Sequence, residues 1–313
     1  MKGTLIAATL VATWCSVAGA GQITQHTLPS VTLGGDVAYQ VYRPDDASGP
    51  LPVLYLLHGL GGNQKDWQQA GNVEQTADAL IESGTIDPLL IVMPAAGNSW
   101  YVNSRAVGGP GEFETVIIDE LLPHIEANHD VAPGRDNRTI AGLSMGGFGA
   151  LRLAYAHPDL FSAVASMSGA VWQNVPEENL DLPPAELKVI SETDYFHAVT
   201  PDTVLPGVDL PPPGEHFGGA FGDPFDARFF NSVNVFTELR ELIETDQPLP
   251  TTYLAVGDVD SHQLWRGAIA LFTTLRAGGH DVSLRVTDGD HTWAVWRDAI
   301  GPALIFLNDQ TQR

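Results

Sequence analysis

From position 37 onward the chain switches repeatedly between two rhythms of apolar and polar residues. Val37-Ala38-Tyr39-Gln40-Val41-Tyr42-Arg43 alternates with period two, which predicts an early antiparallel strand with one buried face. Residues 52–57 and 89–93 are short unbroken apolar runs, the pattern of strands covered on both faces. The first runs straight into His58-Gly59-Leu60-Gly61-Gly62, and Pro94 closes the second. Phe113, Val116, Ile117, Leu121 and Ile125 recur at helical spacing, with Pro123 expected to bend that helix. Residues 138–141 predict a strand entering a sharp glycine turn, followed by a helix over 145–156 that stops before Pro158. Further strands are predicted at 161–167, 251–256 and 281–286. A helix marked by Leu264, Trp265, Ala268, Ile269, Phe272 and Leu275 ends at Gly278-Gly279, and a last one covers 293–307.

Strand–helix alternation of this kind argues for an α/β protein with a mostly parallel sheet and helices on both faces. One stretch breaks the rhythm. Residues 170–235 hold 9 of the chain's 22 prolines, including Pro211-Pro212-Pro213, so regular sheet is not expected there. We read 170–235 as an insertion near the strand C-termini, a lid or pocket wall over the site, against the plainer reading of an exposed loop.

The N-terminus changes the picture of the mature protein. Met1-Lys2 gives a positive start, residues 3–17 are apolar or small, and Ala18-Gly19-Ala20 offers an A-x-A cleavage site before Gly21. Residues 1–20 are therefore expected to be a signal peptide and 21–313 a single domain, secreted or periplasmic. A lipid anchor on Cys15 would need a small residue where Trp14 stands. Cleavage would remove the only cysteine, and with it any thiolate chemistry or disulfide. The net charge of −23, from 38 acidic and 15 basic side chains, disfavours nucleic acid and anionic lipid as partners. No later run is long enough for stable membrane insertion. The oligomeric state is left open.

Chemistry enters at Gly142-Leu143-Ser144-Met145-Gly146, followed by Gly147, where a predicted strand meets a predicted helix. G-x-S-x-G in that context marks a nucleophile elbow. Glycines two residues either side let strand and helix approach, and the serine hydroxyl is pushed above the sheet edge. The Met145 amide, first in the helix, faces the space where an oxyanion would form. The glycine run after the upstream strand is where such an elbow draws a second donor, and the Leu60 amide is the candidate. A phosphate-binding loop would need G-x-x-x-x-G-K-[ST], and no lysine occurs in the run before Lys65. His58 reads as a residue that positions this loop rather than a base.

Elbow hydrolases place the acid and then the base after the serine. His291 stands just past the last predicted strand, on a turn expected to hang over the sheet. His280 precedes that strand and falls at the opposite end, and His262 belongs to a helix start. For the acid, Gly257-Asp258-Val259-Asp260-Ser261 offers two carboxylates able to orient the imidazole. The same acids together with Asp288 and Asp290 raise calcium binding as a rival, but no EF-hand-like register is present. No cofactor and no metal are expected.

Leu57-His58-Gly59-Leu60-Gly61-Gly62 with Trp67, Ala141-Gly142-Leu143-Ser144-Met145-Gly146-Gly147, and His291 with Trp296 together resemble the esterase D superfamily of α/β-hydrolases. That superfamily includes feruloyl and acetylxylan esterases, formylglutathione hydrolases and the antigen-85 mycolyltransferases. The resemblance covers roughly 37–307. It implies an α/β-hydrolase fold, Ser144 as nucleophile, Asp260 as acid, His291 as base, and the Leu60 and Met145 amides as oxyanion donors. Loop shape leans the same way for the acid. Gly257 begins the turn, so Asp258 stays near the sheet and suits turn-shaping, whereas Asp260 lies further out. Two departures stand out: Thr292 follows His291 where many members carry an acid, and 170–235 matches no recognised pattern. The expected activity is hydrolysis of a small-molecule or polysaccharide-linked carboxylic ester through an acyl-enzyme. Trp100, Tyr101, Trp172 and Phe217 fall in loops able to line the acyl or alcohol pocket. The rivals are a formylglutathione-type thioesterase, an acyltransferase with the same triad, and a binding protein on a hydrolase scaffold.

Overall fold

Short apolar runs become parallel strands here because both of their faces are covered. The computed structural model describes residues 21–45, 47–197 and 210–311. The predicted signal segment 1–20 and part of the proline-rich stretch therefore lie outside the described residues. Eight strands make one sheet: β1 (Gln22–Ser30), β2 (Gly35–Arg43), β3 (Val53–Leu57), β4 (Leu90–Pro94), β5 (Arg138–Leu143), β6 (Ala163–Met167), β7 (Thr251–Gly257) and β8 (Val282–Thr287). Their spatial order is β1-β2-β4-β3-β5-β6-β7-β8. β1 and β2 are antiparallel to their neighbours, and the six strands from β4 to β8 run parallel.

β3 shows how sequence sets the layers. Val53, Tyr55 and Leu57 face one apolar cluster, while Leu54 and Leu56 face the other. Every β3 side chain is buried, each contributing on the order of 1.5–3 kcal/mol. The first cluster takes in the helix Met145–Ala156, the helical segment 113–128 and the helix Trp265–Ala277. The second takes in Val73–Glu82 and Trp293–Thr311. Residues Met145–Tyr155 are buried all round, as a helix sandwiched between sheet and further helices must be. No helix among the described residues is long and apolar enough to cross a membrane.

Local details follow from single residues. The helix expected to bend at Pro123 contains a π-helical turn, Val116–Leu121, immediately before that proline. Proline lacks an N–H and crowds the carbonyl four residues back, and the wider turn relieves both. β1 was not apparent from the sequence pattern. It is a polar, largely exposed edge strand ending near Pro29, so its pairing with β2 rather than its own periodicity defines it. Gly279 takes φ 78° after the helix Trp265–Ala277, letting the His280 amide return to the Leu275 carbonyl at 3.0 Å.

The connection from β6 to β7 spans 168–250, longer than the 170–235 read from prolines. It contains the helices Pro184–His197, Ala227–Ser232 and Val235–Glu244, and no strand among its described residues. Phe217, Phe221 and Phe230 pack into the first core cluster rather than forming a separate core.

Candidate active site

At the end of β5, Ser144 adopts φ 53° and ψ −119°, a conformation that costs a non-glycine residue energy and must be held by its surroundings. Close packing holds it. A side chain on Gly146 would lie 2.5 Å from the His58 carbonyl oxygen and 2.6 Å from that of Leu57, so only glycine lets the helix seat against the β3 loop. Gly142 meets the backbone of Gly146 in the same way. The Ser144 amide donates to the Met167 carbonyl at 2.9 Å, and the Ser144 carbonyl accepts from Phe148 and Ala170.

The loop after β3 is fixed from several directions. His58 is buried, and its Nε2 accepts from the Ala96 amide at 3.0 Å, which places its proton on Nδ1 beside the Gly59 carbonyl at 2.7 Å. Burial lowers its pKa despite that hydrogen bond and the charge of Asp66, so the ring stays neutral. Trp67 Nε1 donates to the Leu57 carbonyl, and Tyr101 Oη to that of His58, both at 3.0 Å. The Gly61 and Gly62 amides are engaged by Asn98 Oδ1 and the Gly59 carbonyl. Leu60 precedes them and lines the same cavity as Ser144. Met145 opens its helix, where the first amides have no intrahelical acceptor.

The loops after β7 and β8 meet over Ser144. His291 Nε2 lies 3.0 Å from Ser144 Oγ, and His291 Nδ1 lies 2.8 Å from Asp260 Oδ2. A carboxylate can only accept, so Nδ1 carries the proton and Nε2 is left to accept from the serine hydroxyl. The Asp260 side chain has no solvent exposure, and its Oδ1 accepts from the His262 amide at 3.0 Å and the Leu264 amide at 3.4 Å. Trp296 packs edge-on against the His291 ring at 4.9 Å, and His262 does so from another side at 4.8 Å.

The neighbouring acids do something different. Asp258 Oδ1 accepts from the Gly289 amide at 2.9 Å, tying the β7 loop to the β8 loop. Asp290 Oδ1 accepts from the His291 and Ser261 amides, both at 2.6 Å, and these hydrogen bonds lower its pKa. Both carboxylates are therefore spent on backbone amides.

A cavity of about 250 Å³ opens beside Ser144, walled by Leu60, Trp100, Ala170, Trp172, Pro212, His216, His262 and Leu264. Of the aromatic residues proposed to line it, Trp100 and Trp172 do. Tyr101 instead lies buried behind the β3 loop, and Phe217 sits behind Trp100, with ring centroids 5.1 Å apart. Trp100 and Tyr101 share the left-handed region, at φ 56° and 57°, which turns one indole toward the cavity and one phenol toward the core. Pro212 and His216 bring the 168–250 connection to the rim. His216 belongs to no motif that could have singled it out; it is largely exposed, and its ring lies tilted against Phe217 with centroids 4.2 Å apart.

A second charged cluster escaped the sequence reading. Arg152, on the helix that Ser144 introduces, pairs with Glu114 at 2.7 Å and Glu238 at 3.4 Å, and His157 reaches Glu114 at 2.9 Å. Burial works against ionising Glu114, but the hydrogen bond from His157 and the charge of Arg152 prevail and lower its pKa to about 2. Burial instead raises that of Glu238, against the pull of Arg152.

Comparison with known proteins agrees with this architecture. The family model described as "Putative esterase" matches residues 30–307. An endo-1,4-beta-xylanase/feruloyl esterase of Xylanibacter ruminicola is 34% identical over 169 residues, 51% of this chain and 23% of its own length. An esterase of Mycobacterium tuberculosis is 34% identical over 222 residues, 64% of this chain and 46% of its own. The chain thus spans less than half the length of either relative. Among solved structures, a ferulic acid esterase superposes with a TM-score of 0.69 at 26% identity, covering 93% of this chain and 98% of that one. The chain belongs to the Putative esterase family and has the α/β-hydrolase fold.

Proposed function

We propose that the protein is a secreted esterase that cleaves carboxylic esters with a small aromatic acyl group, of the feruloyl type, including esters carried on a polysaccharide. The observation that carries the chemistry is the hydrogen-bonded chain Ser144–His291–Asp260, with links of 3.0 and 2.8 Å. In this reading Ser144 Oγ attacks the ester carbonyl as His291 Nε2 takes its proton. The tetrahedral oxyanion is held by the Leu60 and Met145 amides, each such donor being worth about 3–4 kcal/mol of barrier. Imidazolium then protonates the departing alcohol, aided by Asp260 across Nδ1. Water, deprotonated by the same histidine, releases the acid and restores Ser144.

The acyl preference is supported by the cavity. Its volume of about 250 Å³ is below the roughly 300–1,000 Å³ of drug-sized sites. Trp100 and Trp172 offer flat faces for one ring, with too little room for a long lipid chain. The family's feruloyl-esterase relatives agree in kind. Export is supported by the charged, apolar and A-x-A sequence of residues 1–20.

The test is kcat/KM of the purified protein on methyl ferulate, p-nitrophenyl acetate, p-nitrophenyl palmitate and S-formylglutathione. Methyl ferulate should exceed palmitate and formylglutathione by at least about tenfold, the discrimination a shaped apolar pocket typically gives. A preference for formylglutathione, or acyl transfer to a sugar outrunning hydrolysis, would replace this reading.

A further inference from the structure

The sheet begins at an acidic site that already receives the nitrogen of Gly21. That nitrogen donates to Asp78 Oδ1 at 2.9 Å, and Tyr42 Oη donates to the same oxygen at 2.7 Å. Gly21 is buried between them. A side chain there would lie 2.8 Å from Tyr42 Cζ and 2.9 Å from Asp78 Oδ1, so it would push one of them out of place. Glu74 stands one helical turn before Asp78 on Val73–Glu82, and like charges at that spacing repel. Burial, with the charge of Asp78 added, pushes the Glu74 pKa up. Among the described residues, no lysine, arginine or histidine forms an ion pair with either carboxylate. The site therefore concentrates negative charge around a nitrogen that, within an unbroken chain, is a neutral amide.

We propose that this is the docking site of the mature N-terminus: a signal peptidase cuts between Ala20 and Gly21, and the Gly21 α-ammonium so released pairs with Asp78. The inference rests on the export reading of residues 1–20. Water supplies hydroxyl to the Ala20 carbonyl as the C–N bond breaks. The Gly21 amine keeps the other hydrogen and takes up a solvent proton below its pKa. A neutral donor 2.9 Å from Asp78 becomes a cation at the same place, and charge-assisted hydrogen bonds are roughly twice as strong as neutral ones. The consequence is mechanical. β1 is an edge strand whose one neighbour in the sheet is β2, and the ion pair fastens its start to the helix Val73–Glu82 on one face of the sheet.

Pairing raises the α-amino pKa above its ordinary value of about 8. The added stability is complete below that value and is lost as pH rises through the elevated pKa. The experiment compares the chain starting at Gly21 with one starting at Ala18, each with and without Asp78→Asn, by melting temperature from pH 7 to 10.5. N-terminal sequencing of the exported protein accompanies it. At pH 7 the Gly21 form should melt about 2–4 °C above the Ala18 form, and the gap should close by about pH 10. Asp78→Asn should cost the Gly21 form more than the Ala18 form. A natural N-terminus other than Gly21 would overturn the proposal at the cleavage step. Equal melting temperatures for the two starts, with equal costs of Asp78→Asn, would overturn it at the ion pair while leaving export standing. Because the wild-type starts differ only in length, that comparison holds even if Asp78→Asn folds poorly.

Discussion

The two sides of the cavity are held by different forces. On the side of Ser144, three loops are fixed by backbone-directed bonds: Asp258 to Gly289, Asp290 to Ser261 and His291, His58 to Ala96. Facing them, the wall formed by 168–250 is held largely by rings, with Asn231 and Asn234 adding hydrogen bonds to the backbone of Val175 and Trp172. Trp100, Trp172, Phe217, Phe221, Phe225 and Phe230 pack with centroids 5.0–6.4 Å apart. Directional bonds locate atoms to within a fraction of an ångström, as proton transfer requires. Ring packing sets a volume and a surface, and tolerates substitution so long as both are kept. Changes on the first side should therefore act on kcat for every ester, and changes on the second on which ester is preferred.

The largest separation should come from Ser144→Ala. If Ser144 is the nucleophile, as proposed, its loss lowers kcat by about 10⁶-fold on all esters. The melting temperature should move by less than about 2 °C, because alanine keeps the Cβ and forfeits one hydrogen bond. A serine-directed phosphonate should label the wild type at Ser144 alone, as mass spectrometry of the digest would record. Residual turnover above about 1% would remove Ser144 from the mechanism.

Next come the two aspartates of the β7 loop. Asp260→Asn should lower kcat by up to about 10⁴-fold, since an amide can turn its NH₂ toward Nδ1 and favour the wrong tautomer. Asp258→Ala should leave kcat within about threefold and cost about 1 kcal/mol, the value of one hydrogen bond between loops. Measuring kcat and melting temperature side by side decides it: a kcat collapse in Asp258→Ala with near-normal Asp260→Asn would reverse the roles.

That pair also shows what the sequence could carry. The turn glycines of 142–147 were legible because no other residue tolerates the contact that Gly146 makes with the β3 carbonyls. The chain order of strands, the elbow turn at Ser144 and the turn carrying His291 was legible because alternation of buried strands and helices leaves few arrangements. The Asp258–Gly289 bond was only half visible: loop shape suggested that Asp258 shapes a turn, but its partner is 31 positions away. The wall was opaque for a different reason. Volume-filling aromatic residues obey no spacing rule, so the prolines of 170–235 marked an irregular segment without revealing that Phe221 or Phe230 enters the main core. Polar β1 was hidden likewise, since a partner strand rather than periodicity makes it a strand.

On the wall, Trp172→Leu should act on specificity. Its ring forms part of the cavity surface, and loss of aromatic contact should lower kcat/KM for methyl ferulate by roughly tenfold relative to p-nitrophenyl acetate. The acetate rate should stay within about threefold. Parallel loss on both esters would mean that the wall also positions the chemistry.

The sides meet at Arg152, and there the comparison can be tested by pH. Arg152 lies on the elbow helix, Glu114 on the segment beside it, and Glu238 on the helix Val235–Glu244 that ends the wall. Glu114 ionises at about 2 in the folded protein against an ordinary value near 4.5, so the unfolded chain binds more protons between those values. Its stabilising contribution is complete above pH 4.5 and is lost as pH falls toward 2. At ~1.4 kcal/mol per pH unit that displacement is worth at most about 3.5 kcal/mol. Glu238 offsets part of this, because burial raises its pKa in the same network. Glu114→Gln should therefore cost about 1–2 kcal/mol at pH 7, and its melting temperature should fall less steeply than that of the wild type between pH 5 and 3. Turnover of p-nitrophenyl acetate at pH 7 should change by less than about threefold, because Ser144 stays fixed by Gly146, Met167 and Ala170 whether or not the far end of its helix is bolted to the wall. Parallel melting curves for the two proteins would show that the ion pairs bear no net load. A large loss of turnover in Glu114→Gln would show that the wall holds the nucleophile after all, and that the division between the two sides fails where they join.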